Sequence, residues 1–385
     1  MPRPRFCRNP RCRNSRNPPP GWLARAGHYP TAAHGLVQRY VCTRCGKGMG
    51  EQTESMHYYA KRRLKLAEIL SRLRGGSSLR DIGRELGCSR TAVANAVVRL
   101  ARQAMACHVD LLSGLPLPGR LVFDGLASSV TGHDYPSQIH TLVDGSVELL
   151  LAMTHYVGPR GGTITVKQLE RIKEKYRVWS PQPGALKDSI ALLVNELTAF
   201  AAAAALLIDT DEYPLYPPVI EADLALRWYR EAGLLEVRRT PGTAERTASN
   251  PLFPVNYVDR MIRHRMKEHT RETIAGGRNS TMQMMRMWIF AWDHNVRQPH
   301  RVEPPADECR AAKAGVSTTL LRRLKREFYH RRRSVRRHRV PESMRQVWLA
   351  GLATPPVRWV KGQASYGPGV PQYASLDLSF SRPAG

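Results

Sequence analysis

Two close cysteine pairs, Cys7-x4-Cys12 and Cys42-x2-Cys45, constrain the start of this chain more than any other feature. The 29 residues between the pairs hold too few apolar side chains to make a core of their own. Four thiolates around one tetrahedral zinc would supply the missing folding energy. Asn9-Pro10 turns the first pair, Gly46 and Gly48 follow the second, and Gln38-Arg39-Tyr40-Val41-Cys42 reads as a strand entering the second knuckle. The spacing predicts a zinc ribbon over residues 1–50, with Cys7, Cys12, Cys42 and Cys45 as ligands to a structural Zn²⁺. The competing reading is four unrelated buried cysteines. Four of seven cysteines in this arrangement suit a reducing compartment better than disulfides.

The charge narrows the partners. The chain has 59 Lys+Arg against 32 Asp+Glu, a net charge of +27. Such an excess repels itself in a compact fold and is ordinarily neutralised by a polyanion, with nucleic acid the leading candidate and a membrane surface the second. No apolar run reaches the roughly 18–20 residues that span a bilayer, the longest being Leu197–Ile208. The opening MPRPRFCRNP has charge but no apolar stretch, so no secretory signal is expected.

Residues 56–110 read as helices: His57–Leu73, Leu79–Leu86 and Arg90–Met105, with Gly75-Gly76 ending the first and Ser89 capping the third. The string SLRDIGRELGCSRTAVANAVVRL has the helix–turn–helix layout, a short helix, a glycine-containing turn and a second helix. In such a unit the start of the second helix meets base edges, here Ser89, Arg90, Thr91 and Asn95, while Arg80 and Arg84 would reach phosphate. A plain three-helix packing unit is the alternative.

After a linker over 111–120, strands and helices alternate, which argues α/β. Leu121-Val122-Phe123 reads as a strand ending at Asp124, followed by strands at 138–142 and 147–156. A polar helical stretch over 163–200 breaks at Ser180-Pro181-Gln182-Pro183. The apolar run 201–208 ends at Asp209-Thr210-Asp211. One amphipathic helix is expected over 217–232 and a short strand over 235–239.

Residues 250–279, NPLFPVNYVDRMIRHRMKEHTRETIAGGRN, open with two prolines that would hold off a helix until Asn256, from which one is expected to run to His269. Asn256 and Asp259 then share a face near its N-terminus, ringed by cations. Asp124, Asp211 and Asp259 all stand near element ends. Three such carboxylates converging on one sheet edge could hold two Mg²⁺ ions that align the attacking and leaving oxygens of a phosphate. Each aspartate alone is equally a turn former or cap.

Together, the cysteine pairs, LVFDGL, DEYPLYP and NPLFPVNYVDRMIRH…HTRETIAGGRN resemble bacterial insertion-sequence transposases of the DDE type, over most of residues 5–300. The resemblance implies a multidomain chain. A zinc ribbon (1–50) and an all-α helix–turn–helix domain (56–110) precede an α/β ribonuclease H-like catalytic core (119–300), with a basic helix and flexible tail behind (301–385). It implies catalytic, magnesium-binding Asp124, Asp211 and Asp259. Asp209 is the alternative second acid. Glu272, then Glu268, is the alternative third, since many relatives carry Glu where this chain has Asp259. Asn256 would orient the metal site. Arg263, His264, His269 and Arg271 would face the scissile phosphate or flanking DNA. The implied partners are double-stranded DNA, both element ends and target, and a second copy or more of the chain on that DNA, with no membrane. The implied setting is the bacterial cytoplasm at the nucleoid. The rival readings are a non-catalytic DNA-binding regulator derived from a transposase and a nuclease that hydrolyses without joining. No Walker-type phosphate loop is present. The helix expected over 284–292 reads as core. The arginine-dense 318–340 stretch reads as a phosphate contact, and the sequence past 350 as a loose tail.

Overall fold

The computed structural model describes residues 3–200, 205–270, 273, 275–301, 308–335, 339–356 and 369–379. It is a mixed α/β structure with a small N-terminal sheet, three helices and a five-stranded mixed sheet. Among the described residues no helix is long and apolar enough to cross a membrane.

The N-terminal unit is an antiparallel sheet of β1 (Leu23–Thr31), β2 (Gly35–Cys42) and β3 (Gly48–Gly50) in that order. Its core is small: Trp22, Leu23, Tyr40 and Met49 packed around the cysteines. The helices that follow are α1 (Leu66–Arg74), α2 (Leu79–Glu85) and α3 (Arg90–Leu112). Ser78 caps α2 and Ser89 caps α3, each side chain accepting an N–H three residues on. Gly83 closes the α2–α3 turn, because a Cβ there would lie 2.8 Å from the Cys88 carbonyl oxygen. Helix α1 starts later than His57, since Ser55 bridges to Arg331 and the Met56 N–H bonds the His330 carbonyl, pinning that segment in turns. Helix α3 runs past Met105 through the expected start of the linker, because Met105, Cys107, Val109 and Leu111 are buried and α3 packs along a core helix.

The large sheet has the order β6-β5-β4-β7-β8, from β4 (Arg120–Ser129), β5 (Pro136–Asp144), β6 (Leu149–Val157), β7 (Leu206–Asp211) and β8 (Leu235–Thr240). The pairs β4–β5 and β5–β6 are antiparallel, whereas β7 runs parallel to β4 and β8 parallel to β7. Helices α4 (Val166–Val178) and α5 (Ala185–Leu197) part at the expected 180–183 break. The single helix expected over 217–232 is two, α6 (Tyr216–Ala222) and α7 (Leu224–Glu231), because Asp223 takes extended backbone and caps α7. Of the run expected to begin at 201, residues 201–204 lie outside the described residues.

Helix α5 lies on one face of the sheet, where Ser189 donates to Thr154 at 3.0 Å. Helices α8 (Phe253–Arg265) and α9 (Ser280–Trp292) cover the face that carries Asp124, with Gln283 of α9 donating to Ser128 at 3.0 Å. Helix α9 is buried along nearly its whole length, as its apolar pattern predicts, with α3 packed against it. The chain closes with α10 (Arg310–Lys313), α11 (Thr318–Glu327), α12 (Glu342–Trp348) and α13 (Gln372–Ser379). The tail expected to be loose therefore includes a docked helix: the Trp348 indole N–H donates to the Ala374 carbonyl at 2.9 Å, and Asp377 is buried.

Candidate functional site

The four N-terminal cysteines converge. Their sulfurs all lie within 4.8 Å of one another, the one such set of three or more ligand groups among the described residues. The Cys7–Cys45 sulfurs are 3.5 Å apart and Cys12–Cys42 3.9 Å. Tetrahedral zinc with bonds of about 2.3 Å requires sulfurs about 3.8 Å apart, so the cluster could hold a structural zinc. Burial raises the Cys42 thiol, but the backbone N–H groups of Cys45 and Arg44 and the Asn14 amide outweigh it and bring it down to about 6. A thiolate ligand is favoured there.

The second site lies on the large sheet. Asp124 sits in the middle of β4, not at its end, because pairing with β5 continues through Ser129. The parallel register sets Val122 beside Asp209. Carried two residues on, it brings Asp124 beside Asp211, the last residue of β7, on the same face. Asp259 approaches from α8. That helix begins at Phe253 with Pro254 in its first turn, so the prolines start the helix where they were expected to delay it. Asn256 is thus a first-turn residue and not a cap, and Asp259 stands one turn further in. The helix ends at Arg265, short of His269.

Asp124 and Asp259 line an open pocket of about 440 Å³ with Asn256, Tyr257, Arg246, Arg260 and Arg263 among its walls. Burial lifts the Asp124 carboxyl to about 6, opposed by the Gly125 N–H at 2.6 Å and helped by the Asp211 charge. Asp259 is pushed well above the carboxylate range, first by burial and then by Asp124. Its Oδ1 is buried with no hydrogen-bond partner. Asp211 accepts the Tyr213 N–H at 2.9 Å and is not among the pocket's lining residues. Asp211 thus raises Asp124, and Asp124 raises Asp259, an arrangement that a cation would relieve. The alternatives are engaged elsewhere. Asp209 is fully buried between Arg120 and Arg238 at 2.7 and 2.6 Å, and Glu268 is paired with Arg286 at 3.0 Å. Glu272 and Arg271 lie outside the described residues.

The remaining predicted contacts divide. Arg80, Arg84, Ser89, Arg90, Thr91 and Asn95 are all exposed at the α2–α3 surface. Arg84 is turned to Asp81 at 2.8 Å, and the Ser89 hydroxyl is held by its capping bond. Arg263 faces the pocket while donating to the His269 carbonyl at 2.8 Å. His264 is exposed on the far side of α8's last turn. His269 does not face a ligand. It is 1% exposed and bonds Ser128 through Nδ1 at 2.9 Å. Burial, then the charges of Arg286, His155 and Arg263, lower it to about 3 and keep it neutral. The arginine run also turns inward: Arg331 pairs with Glu54, Arg332 with Asp377, and Arg333 with both Asp110 and Glu327. The α11 face bearing Arg322, Arg323, Lys325 and Arg326 is exposed, and residues 336–338 of the run lie outside the described residues.

One pocket residue escaped the sequence reading. Arg246, in the loop between β8 and α8, lowers both Asp124 and Asp259 by its charge. Its sole sequence signal is a lone arginine in a polar loop just ahead of the α8 stretch. Neither the family models nor the curated proteins compared with this chain include a match.

Proposed function

We propose that this chain is a DNA transposase of the DDE type, in which the N-terminal modules recognise element ends and the large sheet carries the phosphoryl-transfer site. The observation that carries the reading is the gathering of Asp124, Asp211 and Asp259 from β4, β7 and α8 beside a pocket rimmed by Arg246, Arg260 and Arg263. The strand order supports a ribonuclease H-like core: β4 is central, an antiparallel pair lies on one side and a parallel pair on the other. The exposed α2–α3 surface supports a helix–turn–helix role for Arg80, Arg90, Thr91 and Asn95.

The residues fit divalent cations. The unpartnered, buried Asp259 Oδ1 and the raised Asp124 and Asp259 carboxyls call for positive charge among them, and hard oxygen donors suit Mg²⁺. Two bound Mg²⁺ would supply alignment of the attacking and leaving oxygens and neutralise charge developing on the phosphate. Asp124, Asp211 and Asp259 would hold them. Arg246, Arg260 and Arg263 would take the non-bridging phosphate oxygens and fix the strand, while Asn256 orients the acid three residues on. Water would be the attacking group in end cleavage and the freed 3′-hydroxyl in joining, with two copies of the chain needed to bring two ends together.

The test is cleavage and joining of labelled DNA carrying the element's own ends, with Mg²⁺ or Mn²⁺, for wild type and Asp124→Asn, Asp211→Asn, Asp259→Asn and Glu272→Gln. Both products should vanish in the three Asn variants while end binding persists. Loss in Glu272→Gln with activity kept in Asp259→Asn would reassign the third acid. Wild-type protein that binds ends and cuts nothing would refute catalysis and leave the DNA-binding regulator.

A further inference from the structure

A second opening, distinct from the carboxylate pocket, lies where α1 meets α8. It is an open groove of about 550 Å³, with Ser71, Arg74, Gly75 and Gly76 on one wall and His264, Arg265 and Lys267 on the other. No carboxylate lines it, and the one aromatic ring in its wall is the His264 imidazole. Beneath it the buried Asp293 is shared by Arg74 at 3.0 Å, Arg265 at 3.2 Å and Arg297 at 3.9 Å. One carboxylate against three guanidiniums leaves the floor cationic. Lys267 is exposed and makes no side-chain hydrogen bond or ion pair among the described residues. Gly76, at φ +76°, keeps this wall open, since a Cβ there would stand 3.0 Å from Lys267 Cε.

The two openings flank the end of α8. Arg260 and Arg263 face the carboxylate pocket, whereas His264 in the last turn and Lys267, two residues past the helix end, face the groove.

We propose that this groove is a phosphate-binding track for the DNA backbone, between α1 and the end of α8 and next to the carboxylate pocket. The proposal rests on the DNA reading above. A channel lined by Arg74, Arg265 and Lys267 with no carboxylate in its wall offers grip chiefly for phosphates, and such contacts carry no sequence information.

Equilibrium binding of a labelled duplex of arbitrary sequence across a salt series tests it, for wild type, Lys267→Ala, Lys267→Glu, Arg80→Ala and the exposed α4 control Lys173→Ala. Loss of one phosphate contact lowers the slope of log affinity against log salt by about 0.9, which is about 8-fold in affinity at 0.1 M salt. Lys267→Ala should show that loss and Lys267→Glu a larger one, with Lys173→Ala unchanged. Wild-type slope and affinity in both Lys267 variants, with Arg80→Ala weakened, would overturn the track and leave the DNA reading standing. A wild-type protein that binds no duplex at any salt would overturn the DNA reading, and the track with it.

Discussion

Replacing Asp124 by Asn should stabilise the metal-free protein at neutral pH, against the usual outcome for a buried polar substitution. The carboxyl rises from its ordinary 3.8 to about 6, chiefly through burial. A raised folded value means that the contribution to stability is fully present below 3.8 and lost as pH rises through about 6. At 1.36 kcal/mol per unit, the ionised form costs the fold about 3 kcal/mol above pH 7. Asn carries no charge, and it also weakens the Gly125 N–H bond now made to a carboxylate, worth about 1 kcal/mol. The net gain is then about 2 kcal/mol at pH 8, shrinking as pH falls through about 6 toward 3.8. The assay is thermal unfolding with EDTA and with Mg²⁺ or Mn²⁺, at pH 5 and pH 8. Wild type should gain from the divalent ion at pH 8, whereas Asp124→Asn should start higher and gain little. A variant that melts below wild type at pH 8 in EDTA, with equal gains from metal, would refute the claim that crowded carboxylates strain this site.

Other consequences follow from the same geometry. Purified protein should carry one zinc per chain by elemental analysis, and Cys42→Ser should lose it and open the segment 3–50 to proteolysis, since that unit's own core is small. Glu196 accepts both the Ser343 N–H and hydroxyl at 2.8 Å, and burial lifts it from 4.5 to about 7. Its contribution is therefore present below about pH 4.5 and lost through pH 7, about 3 kcal/mol in all. Glu196→Gln should flatten the decline in denaturation midpoint between pH 5 and pH 8. Asp377→Ala deprives Arg8 and Arg332 of their shared carboxylate and should cost about 3–5 kcal/mol in urea unfolding. It should also release α13 and change the emission of Trp348.

What was legible in the sequence was what local chemistry dictates. The cysteine spacing gave the thiol cluster, and Ser78 and Ser89 marked the starts of α2 and α3. The alternation of apolar runs placed β5, β6 and β8 within two residues at each end. What failed depended on partners far along the chain. Asp124-Gly125 reads locally as a strand end, yet nine consecutive β4–β5 pairs carry the strand through it. Pro251 and Pro254 read as helix stops, although proline's fixed φ suits a first helical turn. His269 and Arg331 to Arg333 look like surface cations, and only their distant partners Ser128, Glu54, Asp377, Asp110 and Glu327 draw them inside. Arg246 has no local pattern, because its place in the pocket comes from the fold of a loop.

The same inward pairs bear on how the net charge of +27 is deployed. An acid on the surface would repel a polyanion, but several of this chain's scarce acids are buried and each binds more than one arginine. Asp209 holds Arg120 and Arg238. Asp293 holds Arg74, Arg265 and Arg297. Glu54 lies against Arg331 and Arg8. Each such acid is withdrawn from the surface, where it would repel a polyanion, while its arginines brace separate segments. The exposed cations of α2–α3, Arg260, Lys267 and the outer face of α11 are among those open to a partner. Reversing the balance at a buried acid should therefore act twice. Asp293→Asn would loosen the α1–α8 junction by leaving three guanidiniums without their carboxylate, and it would raise the charge of the groove above. Stability should fall while the salt slope of DNA binding steepens, a pairing of effects that simple unfolding of the site would not produce.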